Sequence, residues 1–121
     1  TQQQLDLYAL VRRTHEECAA AVHAGVDGND IFKLSKKIIG DAGYGDYYNH
    51  GLGHGVGIDI HELPMFGRKS NIVEAGAVIT MEPGVYLPGV GGVRLEDYGI
   101  VTENGYEPFT ESSHDLQVID C

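Results

Sequence analysis

His50-Gly51-Leu52-Gly53-His54-Gly55-Val56-Gly57 places a glycine at every odd position. In an extended chain successive side chains point to opposite faces, so one face of this stretch would be bare. The other face would carry His50, Leu52, His54 and Val56. A bare face lets a second backbone or a ligand approach closely, at an entropic cost to the strand that other contacts must offset. The residues alone leave an alternative open, a flexible glycine-rich loop with incidental histidines. Glycine is frequent along the whole chain, 17 in 121 residues, about twice the usual share of roughly 7%. There is no collagen period and no low-complexity tract, so these glycines have local geometric work.

Upstream of this stretch the pattern is helical. Leu5, Tyr8, Val11, Cys18 and Val22 recur at the three-and-four spacing of an amphipathic helix, with Arg12, Arg13, Glu16 and Glu17 on other faces. The spacing predicts a helix from Leu5 to His23, ended by Gly25. A second helix is expected from Asp27 as N-cap through Ile31, Leu34, Ile38 and Ala42, broken by Gly43 and Gly45. Downstream, short β-branched runs alternate with Gly, Pro and Asn, which predicts strands at 52–60, 77–82, 85–87, 93–102 and 106–109. Glu103-Asn104-Gly105 is a hairpin signal, because Asn-Gly tolerates the positive φ of a two-residue turn. Helices followed by hairpin-linked strands imply an α+β class with a mainly antiparallel sheet, and residues 1–121 are expected to form one unit without a linker.

The net charge of −10 and the absence of a long basic run give nucleic acid and anionic membranes no electrostatic reason to bind. No apolar run approaches the roughly 18 residues of a membrane span. Two cysteines, Cys18 and Cys121, are too few and too far apart for a disulfide scaffold, which predicts a soluble protein of the reducing cytoplasm.

Three acidic or basic positions stand out downstream. Glu82 ends the apolar run Val78-Ile79-Thr80-Met81 and is followed by Pro83-Gly84, while Arg94 and Glu96 alternate with Val93 and Leu95 and so share a sheet face. Taken singly, an Arg and a Glu at this spacing form an ordinary surface ion pair of little energetic worth. Other templates fail. His61-Glu62 does not open a zincin motif, because Met65 stands where the second histidine belongs. Ser113, His114 and Asp115 are consecutive and cannot form a nucleophilic triad among themselves.

The ordered set HGLGHGVGIDIHELP (50–64), ITMEPGVYLPG (79–89) and GGVRLEDYGIVTENG (91–105) resembles the C-terminal half of the pita-bread metallopeptidases, in the Xaa-Pro aminopeptidase and proline dipeptidase branch. The resemblance covers nearly the whole chain. It implies half of a pita-bread fold, two helices packed on a curved, mainly antiparallel sheet. It implies metal ligation by His54, Glu82 and Glu96, with Glu82 also shuttling a proton, His50 and His61 as substrate-side histidines, and Arg94 hydrogen-bonding within the site. The implied reaction removes an N-terminal residue that precedes proline, from a peptide with proline in second position, using two divalent ions. Oxygen-rich ligation with one imidazole suits manganese, and cobalt or zinc also fit such a site.

The same resemblance implies two further aspartate ligands on a hairpin upstream of the helical pair. None of Asp6, Asp27, Asp30 or Asp41 lies in a comparable motif, so the chain by itself is expected to be inactive and to hold two metals weakly. A missing half would leave sheet edge and apolar helix surface exposed, which predicts a homo-oligomer. The competing reading is a pita-bread module that binds peptides or proteins without catalysis. Such a module has no need of the full set His50, His54, His61, Glu82, Arg94 and Glu96.

Overall fold

Thr1 begins the first helix as a capping box: its hydroxyl accepts from the Gln4 amide at 3.3 Å while the Gln4 side chain reaches back. The computed structural model describes residues 1–119, so Cys121 lies outside the described residues. The first helix, α1, is Gln2–Ala21, and Leu7, Leu10, Val11, Thr14, His15 and Cys18 are buried on it. This stripe is rotated from the expected one. Leu5 is 44% exposed, because the helix turns its 7–10–11–14–18 face onto the rest of the chain. The second helix, α2, is Gly28–Asp41 and starts as expected, with the Asp27 carboxylate accepting from the Asn29 amide at 2.9 Å. Gly43, at φ +87°, turns the chain away after its end.

Seven strands follow: β1 (Gly53–Gly55), β2 (Glu62–Phe66), β3 (Val78–Met81), β4 (Gly84–Leu87), β5 (Gly91–Arg94), β6 (Asp97–Thr102) and β7 (Gly105–Pro108). They make a five-stranded sheet in the order β2-β1-β3-β6-β7 and a two-stranded β4-β5 sheet, with every pairing antiparallel. Two helices on antiparallel sheets are the α+β class read from the sequence. One apolar cluster joins Cys18, Val22 and Ile31 of the helical region to Leu52, Phe66, Ile79, Met81 and Val101 of the larger sheet. A second joins Leu7, Val11 and Ile39 to Tyr48, Val85 and Leu87 near the smaller sheet. Because α1 contributes to both, it fixes how the two sheets sit against each other.

Two predicted strands are divided. The run 52–60 is a strand only at β1, after which the chain turns through 57–61 into β2. Glycine's bare face is the reason β1 lies where it does. A Cβ on Gly53 would stand 2.0 Å from the Thr80 carbonyl oxygen, and one on Gly55 would stand 2.3 Å from the Leu63 carbonyl oxygen. The strand is therefore pressed between two backbones, and the flexible-loop alternative is set aside. The run 93–102 breaks between Arg94 and Asp97, opposite Glu82-Pro83: Met81 pairs with Asp97 in the larger sheet and Gly84 with Arg94 in the smaller. Pro83 has no N–H to offer a ladder, so both strands change sheets at this point.

The β6-β7 hairpin forms as predicted, but not with a positive-φ turn. Thr102 pairs with Gly105, neither Asn104 nor Gly105 has positive φ, and the Thr102 hydroxyl donates to the Gly105 carbonyl at 3.2 Å. No helix of the described residues is long and apolar enough to cross a membrane. Cys18 is buried and unpaired, and burial pushes its thiol up to about 12, which keeps it protonated and inert.

Candidate metal centre

Glu82 and Leu95-Glu96 face one another at the joint between the sheets, and β1 runs alongside because the Glu82 amide donates to the Leu52 carbonyl at 2.7 Å. That bond brings His54 to the same place. His54 Nε2 lies 3.2 Å from Glu82 Oε1, and Arg94 Nε lies 4.0 Å from Glu82 Oε2 and 3.5 Å from Glu96 Oε2. His54, Glu82, Arg94 and Glu96 all line one cavity of about 500 Å³, together with His61 and Thr80. Five of the sequence-derived site residues thus converge, although they span 54–96 in the chain.

The hydrogen bonds fix the histidine's state. His54 Nδ1 lies 2.9 Å from the Gly55 carbonyl, and since a carbonyl only accepts, Nδ1 carries the proton. Nε2 then lies 3.2 Å from Glu82 Oε1, a separation that places either a proton or a metal ion between them. A histidine whose second nitrogen is tied to an oxygen is the usual form of a metal ligand. Thr80 sets the pair in register: its hydroxyl accepts from the His54 amide at 3.0 Å and donates to Glu82 Oε1 at 3.1 Å. One imidazole and two carboxylates are donor types that suit a divalent cation, but His54, Glu82 and Glu96 share the cavity without all three ligand atoms lying within 4.8 Å of one another. Arg94 is the one formal cation among the lining residues. Arg94 is held above its usual pKa first by Tyr86, through charge and a hydrogen bond, and then by Glu96 and Glu82. With Arg94 and Glu96 about half exposed, the pair contributes little to stability.

His61 and His50 are placed differently. The His61 ring lies 4.1 Å from that of His54, at the cavity. His50 does not line the cavity. Its ring packs edge-on to Tyr48 at 5.2 Å and lies 5.7 Å from Tyr86, with a buried, unpartnered Nε2. Thr80 and Tyr86 were not singled out from the sequence. The signal for Thr80 was its place two residues before Glu82, on the same strand face. For Tyr86 it was the flanking glycines, since a Cβ on Gly84 would stand 2.9 Å from the Tyr86 hydroxyl and one on Gly92 would stand 2.6 Å from Cδ1 of its ring. Among the other aspartates, Asp27 caps α2, Asp6 accepts from Gln2, Asp30 pairs with Lys33 and Asp41 with Lys37. None of them lines the cavity.

A family model described as Metallopeptidase family M24 matches residues 1–103. The chain belongs to metallopeptidase family M24. The M24 chain is 38% identical over 120 residues to an Xaa-Pro dipeptidase of Lactobacillus delbrueckii subsp. lactis, a match covering 98% of this chain and 33% of that protein. It superposes on an Xaa-Pro dipeptidase from Bacillus anthracis with a TM-score of 0.95 at 37% identity, covering 98% of this chain and 34% of that one. An X-Pro aminopeptidase from Thermotoga maritima MSB8 gives a TM-score of 0.93 at 29% identity, with 98% and 34% covered. The M24 chain therefore spans about a third of the length of these relatives. Its two helices and antiparallel sheets are the α+β half of the pita-bread fold.

Proposed function

We propose that this M24 chain is the C-terminal half of a catalytic domain that hydrolyses the bond between an N-terminal residue and proline at a dinuclear metal site. The observation that carries the reading is His54 Nε2 lying 3.2 Å from Glu82 Oε1, in a cavity that Glu96 also lines. His54, Glu82 and Glu96 would hold the cation, with Glu96 shared between two. Manganese suits the oxygen-rich set, and cobalt and zinc are alternatives. Bound there, divalent ions supply Lewis-acid polarisation of a carbonyl oxygen and a lower pKa for water.

This chain's own residues do the remaining work. The Glu82 carboxylate, oriented by the Thr80 hydroxyl, takes a proton from water and delivers it to the departing proline nitrogen. Arg94 holds the carboxylates of Glu82 and Glu96 in place. His61, at the cavity beside His54, hydrogen-bonds the peptide and orients its scissile carbonyl. His50 acts as a positioning residue behind Tyr86 rather than at the peptide itself. Val56 and Ile60 line the cavity and give the proline ring an apolar neighbour. The two further carboxylates that a dinuclear site needs are expected from outside these residues.

The test uses the protein that carries this chain, loaded with manganese and offered Xaa-Pro dipeptides, Xaa-Pro-Yaa tripeptides and the matching Xaa-Ala peptides. Hydrolysis confined to the proline peptides and abolished by chelator is the expected result. Equal hydrolysis of Xaa-Ala, or activity indifferent to chelator, would refute the reading. The ratio between the two proline substrates decides between dipeptidase and aminopeptidase.

A further inference from the structure

A second grouping of imidazole and carboxylate stands behind the first. Glu96 and Asp97 are neighbours in sequence, yet alternation at the start of β6 sends them to opposite faces, Glu96 to the cavity and Asp97 toward α1. There His15 Nε2, from α1, lies 3.3 Å from Asp97 Oδ2, and His114 Nε2, from the segment after β7, lies 3.2 Å from Asp97 Oδ1. One ligand atom from each of the three residues fits within a 4.8 Å grouping. The side chains of His15 and Asp97 are 4% and 7% exposed, and that of His114 is 21% exposed.

His114 Nε2 hydrogen-bonds Asp97 Oδ1, but ordinary pairing leaves His15 unsatisfied. His15 Nε2 is buried and has no hydrogen-bond partner, despite its closeness to Asp97. The ring does bond the Met81 backbone, which must therefore use Nδ1 and leaves the Nε2 lone pair turned toward a carboxylate. Burial disfavours a proton on this ring, so an imidazolium is a poor remedy. No guanidinium or ammonium is within reach either: the ion-pair partners of Asp97 among the described residues are the two imidazoles, and Arg12 is engaged with Glu16 and Asp115. A second unpartnered polar atom, the buried Tyr106 hydroxyl, belongs to a residue lining the same cavity of about 310 Å³.

We propose that His15, Asp97 and His114 form a binding site for a divalent transition cation of the zinc class, separate from the cavity of His54, Glu82 and Glu96. Two imidazole nitrogens and one carboxylate are a donor set for zinc, cobalt or nickel rather than for calcium or magnesium. Ligand atoms on a tetrahedron about 2.05 Å from zinc stand about 3.3 Å apart. Here the two imidazoles approach different oxygens of Asp97 at 3.3 and 3.2 Å, and one ligand atom from each residue lies within 4.8 Å of the others, so small side-chain shifts would close the three on a cation. The fourth position faces the cavity lined by Tyr106, with room for a water. A cation here joins α1, β6 and the terminal segment, so its binding energy becomes stability of the fold.

The test is zinc titration of the purified chain by equilibrium dialysis and thermal unfolding, with no turnover measured, so its outcome is independent of the peptidase reading. The probe protein carries His54→Ala, Glu82→Ala and Glu96→Ala, and is compared with the same protein carrying His114→Gln in addition. The first should retain about one zinc equivalent and melt higher with zinc. The second should bind more than about a hundredfold more weakly, beyond the effect of altering an outer-shell partner. A folded triple variant that binds no zinc, or binding that His114→Gln leaves unchanged, would overturn the proposal. Should the triple variant fail to fold, histidine nitrogen NMR of the unaltered chain decides. Zinc-dependent shifts at His15 and His114 support the site, and shifts confined to His54 and His61 overturn it.

Discussion

The two faces of the β3–β6 ladder carry the same residue types in opposite surroundings. On the front, His54, Glu82 and Glu96 open onto a cavity, Arg94 offsets part of the charge, and Thr80 ties histidine to carboxylate. On the back, Asp97 is buried between two imidazoles, and among the described residues no side-chain hydroxyl or guanidinium bonds to it. The difference shows that a histidine and a carboxylate do not define a site by themselves. Access and the second layer of partners separate a pair that opens onto a cavity, as at the front, from one that joins elements, as at the back.

The largest effect should come from the front face. In the protein that carries this chain, the proposed function predicts that Glu96→Ala lowers kcat/KM on an Xaa-Pro peptide by about 10³-fold or more, because it would remove a carboxylate from the cation and several kcal/mol of transition-state stabilisation. Retained activity would break the contrast between the faces. Next comes the seat of β1. Gly53→Ala should destabilise the fold by about 3 kcal/mol or more in urea unfolding, because its Cβ meets backbone rather than a flexible side chain. Gly67→Ala, with nothing within 4 Å, should stay within about 0.5 kcal/mol. Equal costs would mean that β1 is not clamped between its neighbours.

Thr80→Val should weaken metal affinity or activity by about ten- to a hundredfold, the range typical of losing an outer-shell partner. A variant equal to the parent in both would show that the hydroxyl does not hold Glu82. Asp27→Ala, far from both faces, should cost about 1 kcal/mol of stability as a lost helix cap without changing metal binding. Loss of metal in that variant would blur the separation between scaffold and site.

The sequence made the helices and the glycine-alternating strand legible, because periods of 3.6 and 2 are local properties. Leu5 was misassigned because one helix can offer two plausible apolar stripes, and only the packing partner chooses between them. β2 was missed because Pro64 weakens the strand signal in Glu62-Leu63-Pro64-Met65-Phe66. The break at 95–96 was hidden because its cause, Pro83, lies on the opposite strand. His54, Glu82 and Glu96 were identified by resemblance to a family, since no periodicity links residues so far apart. His15 drew no notice, as a lone histidine inside an amphipathic helix looks like core until Asp97 and His114 are found against it.

Anomalous diffraction from crystals of the protein that carries this chain, soaked in manganese, tests the central claim most directly. The account predicts a peak in the front cavity about 2.1 Å from His54 Nε2 and from oxygens of Glu82 and Glu96. A cavity without anomalous density at saturating manganese, or a peak that touches only one of the three side chains, would contradict it.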